Sequence, residues 1–260
     1  MIPVAPGTIP ARSTTTSSDP PSLGPPGRAA GRGRRPPRYG PRVARRKSTK
    51  REPDRPDLPP RYGPAPAPED GDVWDGLEAG PDTPFPEHVA DLRMHECRLR
   101  GVDLSGRTLS GLFCRDTEFV HCDLSGAVLD DAVFTRVTFT DCRLTGAELN
   151  GAGLTDVRIQ DSRADLLRLR MAKGTFLHVT DTVLRGADLY RFTAADCAFL
   201  RCDLSDAVLE DARLAGTDLH GSTLDSIRGP LALRGTRIGP DQFVPVGALL
   251  LAALDVEITD

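Results

Sequence analysis

Between Cys122 and Leu144 the chain reads CDLSGAVLDDAVFTRVTFTDCRL, and its large apolar residues Leu124, Leu129, Phe134, Phe139 and Leu144 fall five apart. Neither the 3.6-residue turn of a helix nor the two-residue alternation of a strand asks for this spacing. The pattern is long. Stepping by five from Leu99 to Leu224 gives 26 positions, of which 22 are Leu, Phe, Ile or Val; the exceptions are Cys114, Ala164, Gly174 and Ala194. Two residues before each of these centres the side chain is usually small, as at Ala127, Ala132, Ala147, Ala152, Ala187, Ala207 and Ala212. Two residues after each centre, 18 of 26 positions are Gly or Asp, which tolerate tight turns. The unit is therefore small, polar, large, polar, turn.

A corner at every fifth residue lets four units close a square coil of about twenty residues, with the next coil stacked roughly 4.8 Å above it. Centres and small residues then point inward and the other three positions face solvent. One coil cannot bury its own apolar side, so stability has to come from neighbour stacking on neighbour. Five of the six cysteines, Cys97, Cys122, Cys142, Cys197 and Cys202, occupy the small position. There a thiol serves as a compact filler rather than as a metal ligand or redox group.

These residues resemble the pentapeptide-repeat family, whose loose A-(D/N)-L-x-x unit appears as Ala187-Asp188-Leu189 and, with Cys in the small slot, as Cys122-Asp123-Leu124 and Cys202-Asp203-Leu204. The resemblance implies an all-β fold, a right-handed quadrilateral β-helix. We expect it over residues 97–239, with an N-terminal cap over 72–96 that contains Trp74, Pro84, Phe85 and Pro86. Near the far end the frame slips by one, making Leu233 and Ile238 late centres. A short C-terminal α-helix and strand are expected over 240–260, the helix starting near Val244 because Pro245 interrupts a run from Pro240. Phe243, Leu249, Leu250, Leu251 and Leu254 give this helix apolar surface suited to capping or, as in dimeric relatives of the resembling family, to joining two subunits.

Several units depart from the pattern. Leu112 with Cys114, and Phe192 with Ala194, exchange large and small positions, which conserves volume. Arg107 falls on an inward position near the start of the stack. From Ser162 to Asp181 the unbroken frame makes Ala164, Leu169, Gly174 and Val179 the centres and puts Leu166, Met171 and Phe176 at turns. A shifted register with Leu166, Met171 and Phe176 as centres competes with it, at the cost of two compensating insertions, and the unbroken frame is preferred. In either register Arg158, Arg163, Leu166, Arg168, Arg170, Met171, Lys173 and Phe176 form a candidate basic and apolar partner patch.

Charge divides the chain. Through Pro66 there are 14 Lys and Arg against 4 Asp and Glu, and from Ala67 onward 19 against 33. Residues 1–71, crowded with Pro and Arg, are expected to be a solvated, disordered tail. Its basic run from Arg32 to Arg51 suits non-specific binding to nucleic acid phosphates, and the hexapeptide PPRYGP, present at Pro36 to Pro41 and Pro59 to Pro64, has the form of a peptide ligand. The longest apolar run, Val246 to Leu254, is too short to span a bilayer, so a cytoplasmic protein without membrane attachment is expected. His88, His95, His121, His178 and His220 are scattered and no phosphate-binding Gly-rich loop occurs, which argues against an enzyme and against any cofactor or metal. Two functions remain. One is a protein-interaction scaffold with an unidentified partner. The other follows from the resemblance: some members of that family occupy the DNA-binding saddle of DNA gyrase and confer fluoroquinolone resistance, and an acidic rod suits such DNA mimicry.

Overall fold

The computed structural model describes residues 51–256. Its strands are parallel, and from Val73 onward they pair at an offset of twenty residues, as in Val73↔Arg93, Phe113↔Val133, Gly153↔Lys173 and His178↔Ala198. That offset is four pentads per coil, and the fold is a right-handed quadrilateral β-helix. Every fifth residue from Gly101 to Ser226 has a positive φ, whatever its side chain. These are the corners. Gly and Asp predominate there because the left-handed conformation costs other L-residues about 1–2 kcal/mol.

Inward residues form one continuous core. Phe119 and Phe139 stack across adjacent coils with centroids 4.7 Å apart, and Phe134 meets Phe139 edge-on at 5.7 Å. The unbroken frame holds through the irregular coil: Leu154 pairs with Gly174 and Ile159 with Val179, while Leu166, Met171 and Phe176 sit at corners with φ of 57°, 58° and 53°. Gly174 is a centre without a side chain because Phe192 fills its space from the next coil. A Cβ on Gly174 would lie 2.8 Å from Phe192 Cζ. The exchange of Phe192 with Ala194 is thus one packing event that also explains Gly174.

One inward column is polar. Cys142 N donates to Ser162 Oγ, and Cys202 N to Ser222 Oγ at 2.9 Å, so side chains of one coil satisfy backbone groups of its neighbour. Cysteines in this column donate to backbone carbonyls, as Cys122 Sγ does to Leu99 O and Cys202 Sγ to Val179 O. All six cysteines are buried and unpaired. Burial pushes the Cys197 and Cys202 thiols up to about 11. Buried Gln242 ends the column by donating from Nε2 to the carbonyls of Leu219 and Ser222.

The ends differ from expectation in instructive ways. Residues 72–96 belong to the stack itself, since Trp74 pairs with Met94 and Met94 with Cys114 in the twenty-residue register. Trp74, Ala79, Val89 and Met94 continue the five-residue frame, and buried Phe85 packs against Trp74 with ring centroids 5.7 Å apart. The expected cap is therefore a coil that also covers the first edge of the core. At the other end Asp218 bridges Arg237, an offset of nineteen, which confirms the slip; a 3-10 turn at Pro230–Leu233 absorbs the missing residue. The C-terminal helix α1 spans Phe243–Ala253, preceded by a 3-10 turn at Pro240–Gln242, so Pro245 falls in its first turn, where no hydrogen bond is lost. The expected terminal strand falls partly on residues 257–260, outside the described residues.

The tail also needs correction. Residues 51–71, expected to be disordered, lie in defined positions: Gly63 and Pro64 pair with Leu77 and Glu78 in the first coil, and Ala65 N donates to Glu78 O at 2.9 Å. The basic run and the first PPRYGP copy lie outside the described residues, apart from Arg51.

Candidate functional site

Because consecutive pentads occupy consecutive sides, the eight residues of the expected patch wrap around the coil and do not share one face. Arg163 reaches Asp165 at 3.5 Å, Arg168 reaches Glu148 at 2.5 Å, and Arg170 reaches Asp188 at 2.7 Å while lying 4.8 Å from the Tyr190 ring centroid. Lys173 is exposed on a further side, beside Met171, Arg191 and Asp211. Leu166 and Met171 project from two successive corners with 60% and 54% of their surface exposed. Leu166 lies over Gly186 of the next coil, where a Cβ would come within 2.9 Å of its Cδ2.

Arg158 and Phe176 belong to a different surface, one that a strap of the chain itself covers. The strap, residues 51–62, runs against the direction of coil stacking along the corner column Asp116, Arg136, Asp156 and Phe176. Arg51 places its guanidinium 4.4 Å from the Phe176 ring centroid and reaches Asp156 Oδ1 at 2.5 Å. Glu52 Oε2 lies 3.2 Å from His178 Nδ1, and Arg158 donates to the Pro53 carbonyl. Asp54 N donates to Asp156 Oδ1 and Asp57 N to Asp116 Oδ1, both at 3.0 Å. Tyr62 then lies 4.6 Å under Arg98, which is held by Glu118 at 3.1 Å.

The electrostatics of this column are specific. Asp116 is 5% exposed. Its burial would raise the carboxyl, but a two-pronged contact from Arg136, at 2.6 and 2.5 Å, together with the Asp57 amide holds it below the usual carboxylate range. Arg158 is lowered too, but there the shift disfavours the charged form: burial lowers it, Arg55 adds repulsion, and its Nη1 has no hydrogen-bond partner among the described residues.

The rest of the exterior is charged but largely cross-paired between coils. Arg143 with Asp123, Arg191 with Asp211 and Arg201 with Asp181 repeat the twenty-residue offset at 3.7, 3.4 and 2.6 Å. Among the described residues, only one corner stacks acids in three successive coils, at Asp141, Asp161 and Asp181. At the C-terminal end, α1 turns Val246, Leu249 and Leu250 onto the last coil, leaving Phe243 at 73%, Leu251 at 38% and Leu254 at 59% exposure. Sequence reasoning named Leu249 and Leu250 but missed Val246, the most buried of the three. No group of three or more metal-ligating side chains is brought together among the described residues, and no helix among them is long and apolar enough to cross a membrane.

Corners every five residues, coils every twenty and a single stacked core define a β-solenoid of the pentapeptide type. The family model described as "Pentapeptide repeat region" matches residues 92–169 and 132–209, and that for "Pentapeptide repeats (8 copies)" matches 202–226. The chain belongs to the pentapeptide-repeat family. Among solved structures it is similar to HetL, a pentapeptide-repeat protein involved in heterocyst differentiation regulation from the cyanobacterium Nostoc sp. strain PCC 7120, with 17% identity over 66% of this chain and 89% of that one and a TM-score of 0.30. It is also similar to a trypsin-treated variant of QnrB1, a plasmid-mediated fluoroquinolone resistance protein, with 18% identity over 73% of this chain and 100% of that one and a TM-score of 0.33. No curated protein matches.

Proposed function

We propose that this protein is a non-enzymatic protein-interaction scaffold. The observation that carries the reading is the pair Leu166 and Met171. Both are largely exposed apolar side chains at left-handed corners, where Gly costs less and where other coils mostly place Gly, Asp or a charged residue. A side chain kept where neither backbone nor core favours it is explained by a partner that covers it. Lys173 and Arg191 lie beside Met171, whereas Arg158 and Phe176 lie on the separate surface under the strap.

The test separates stability from binding. Leu166→Gly and Met171→Gly should each raise stability by about 1 kcal/mol by removing left-handed strain. The full chain carrying both should lose a protein that the wild type retains from lysate of its source cell. Identical captured proteins with wild type and variant would remove these corners from the partner site.

A second reading rests on the acidic corner Asp141, Asp161 and Asp181, which offers a short line of negative charge to a DNA-binding surface such as the saddle of DNA gyrase. Inhibition of gyrase supercoiling, or its protection from a fluoroquinolone, that disappears in Asp141→Asn/Asp161→Asn/Asp181→Asn would establish it. The cross-coil ion pairs around this corner favour the scaffold instead. In both readings the exposed apolar side of α1, with Phe243, Leu251 and Leu254, is proposed as a homodimer contact.

A further inference from the structure

The strap follows a rule of its own. Pro53, Pro56, Pro59 and Tyr62, three residues apart, face the solenoid and are buried or half-buried; of the residues between them only Leu58 is also half-buried, while Asp54, Arg55, Asp57, Pro60 and Arg61 are exposed. A period of three belongs to the left-handed polyproline helix, and the prolines impose it, fixing φ near about −65° and keeping the residues before them extended. The stack has a matching period. Asp116 and Asp156 are two coils apart, about 9.6 Å at the usual spacing of parallel strands. Three residues of polyproline helix advance about 9.3 Å. Asp54 and Asp57, each following an inward proline, consequently deliver their amides to two carboxylates of one column.

This match needs no particular strap side chain at the amides, only a free N–H at every third residue of an extended chain. Phe176 at one end and Arg98 at the other add an aromatic face and a cation for a basic and an aromatic ligand residue. Arg158 Nη1 and Tyr62 OH are buried in the seam without hydrogen-bond partners among the described residues, so the strap leaves bonding capacity unused. The other PPRYGP copy, at Pro36 to Pro41, does not carry the same lead: Gly33 and Ala30 stand where Pro56 and Pro53 stand here. The hexapeptide by itself is not the ligand.

We propose that the column Asp116, Arg136, Asp156 and Phe176 is a binding track for extended segments of the pattern Pro-x-x-Pro-x-x-Pro-x-x-Tyr, and that residues 51–62 occupy it as a competitor in cis. The partner is a protein that presents such a segment. This deepens the scaffold reading and rests on it, but fails separately from it, because the track lies away from Leu166 and Met171.

The experiment uses the full chain with Asp54→Pro/Asp57→Pro, which deletes the two amides and keeps the strap extended. Circular dichroism checks that the stack is intact, as expected for changes at two exposed residues. Hydrogen exchange at the Asp54 and Asp57 amides, which are bonded to Asp156 and Asp116 in the wild type, should accelerate in Asp116→Ala/Asp156→Ala. A fluorescein-labelled peptide of residues 51–64 should then bind the proline variant by anisotropy. It should bind the wild type far more weakly, since a tethered strap competes at about millimolar effective concentration. The same peptide with prolines at its two Asp positions should bind the variant at least about tenfold more weakly, each lost bond to a carboxylate being worth about that factor. Unchanged exchange at the Asp54 and Asp57 amides, equal binding of the two peptides, or no binding to the loosened chain would each overturn the proposal.

Discussion

Asp116 joins three roles in one residue: a left-handed corner with φ of 52°, the acceptor for Arg136, and the acceptor for the Asp57 amide. Its lowered pKa makes its contribution to stability depend on pH with a definite sign. The folded value lies below the ordinary 3.8, so the contribution is fully present above that value and disappears as pH falls through the folded pKa. The difference in urea midpoint between wild type and Asp116→Asn should accordingly be constant above about pH 5 and shrink below the usual carboxylate range. A difference that fades near neutral pH would mean that another group controls it. At this scale the sequence was legible wherever the repeat dictates a role. The corner preference for Gly and Asp and the small-slot cysteines could both be read directly. The partnership of Asp116 with Asp57 could not, because nothing local links residues 59 positions apart.

A coil is the unit at which side-chain volume is conserved. Gly174 and Ala194 look like defects when each is read within its own pentad. Phe192 repairs both, since its ring lies 2.8 Å from where a Gly174 Cβ would be. Restoring the consensus at one site should therefore harm the protein. Gly174→Leu is expected to lower stability by about 1–3 kcal/mol through overpacking, and Gly174→Leu with Phe192→Ala should recover most of that loss. The measurement is urea unfolding of the two single variants and the double, read as a double-mutant cycle. Additive losses would show that the two positions do not share space. The exchange of Phe192 with Ala194 was visible in the sequence, and so was the preference for an unbroken frame across 162–181. That Gly174 belongs to the same packing event was not, because it depends on which residues stack twenty apart.

For the molecule as a whole, the two ends and the strap decide what is available to partners. Helix α1 caps the last coil with Val246, Leu249 and Leu250 yet keeps Phe243, Leu251 and Leu254 exposed. Light scattering on the full chain should give the mass of a dimer, and Phe243→Glu/Leu254→Glu should give that of a monomer with an unchanged unfolding midpoint. A wild type that stays monomeric at high protein concentration would assign α1 to capping alone. Along the stack, cross-coil pairs such as Arg168 with Glu148 set opposite charges one coil apart. The acidic excess of residues 67–260 therefore does not translate into one acidic face.

By itself the sequence determined the architecture. A five-residue period held over 26 units calls for a corner at every fifth residue, with which four units can close a coil, and the resemblance to the pentapeptide-repeat family supplied the four-sided, right-handed form. It also located the slip near residue 233, because a missing residue shifts every later centre. Tertiary structure alone decided which surface residues meet. Pentads adjacent in sequence lie on different sides, so a run of Arg and apolar residues became a ring and not a patch. Residues 51–62, whose composition reads as unstructured, find their order only against a column of the stack whose two-coil spacing equals three residues of extended chain. Neither partner reveals that match alone, since one period is written at three and the other at twenty.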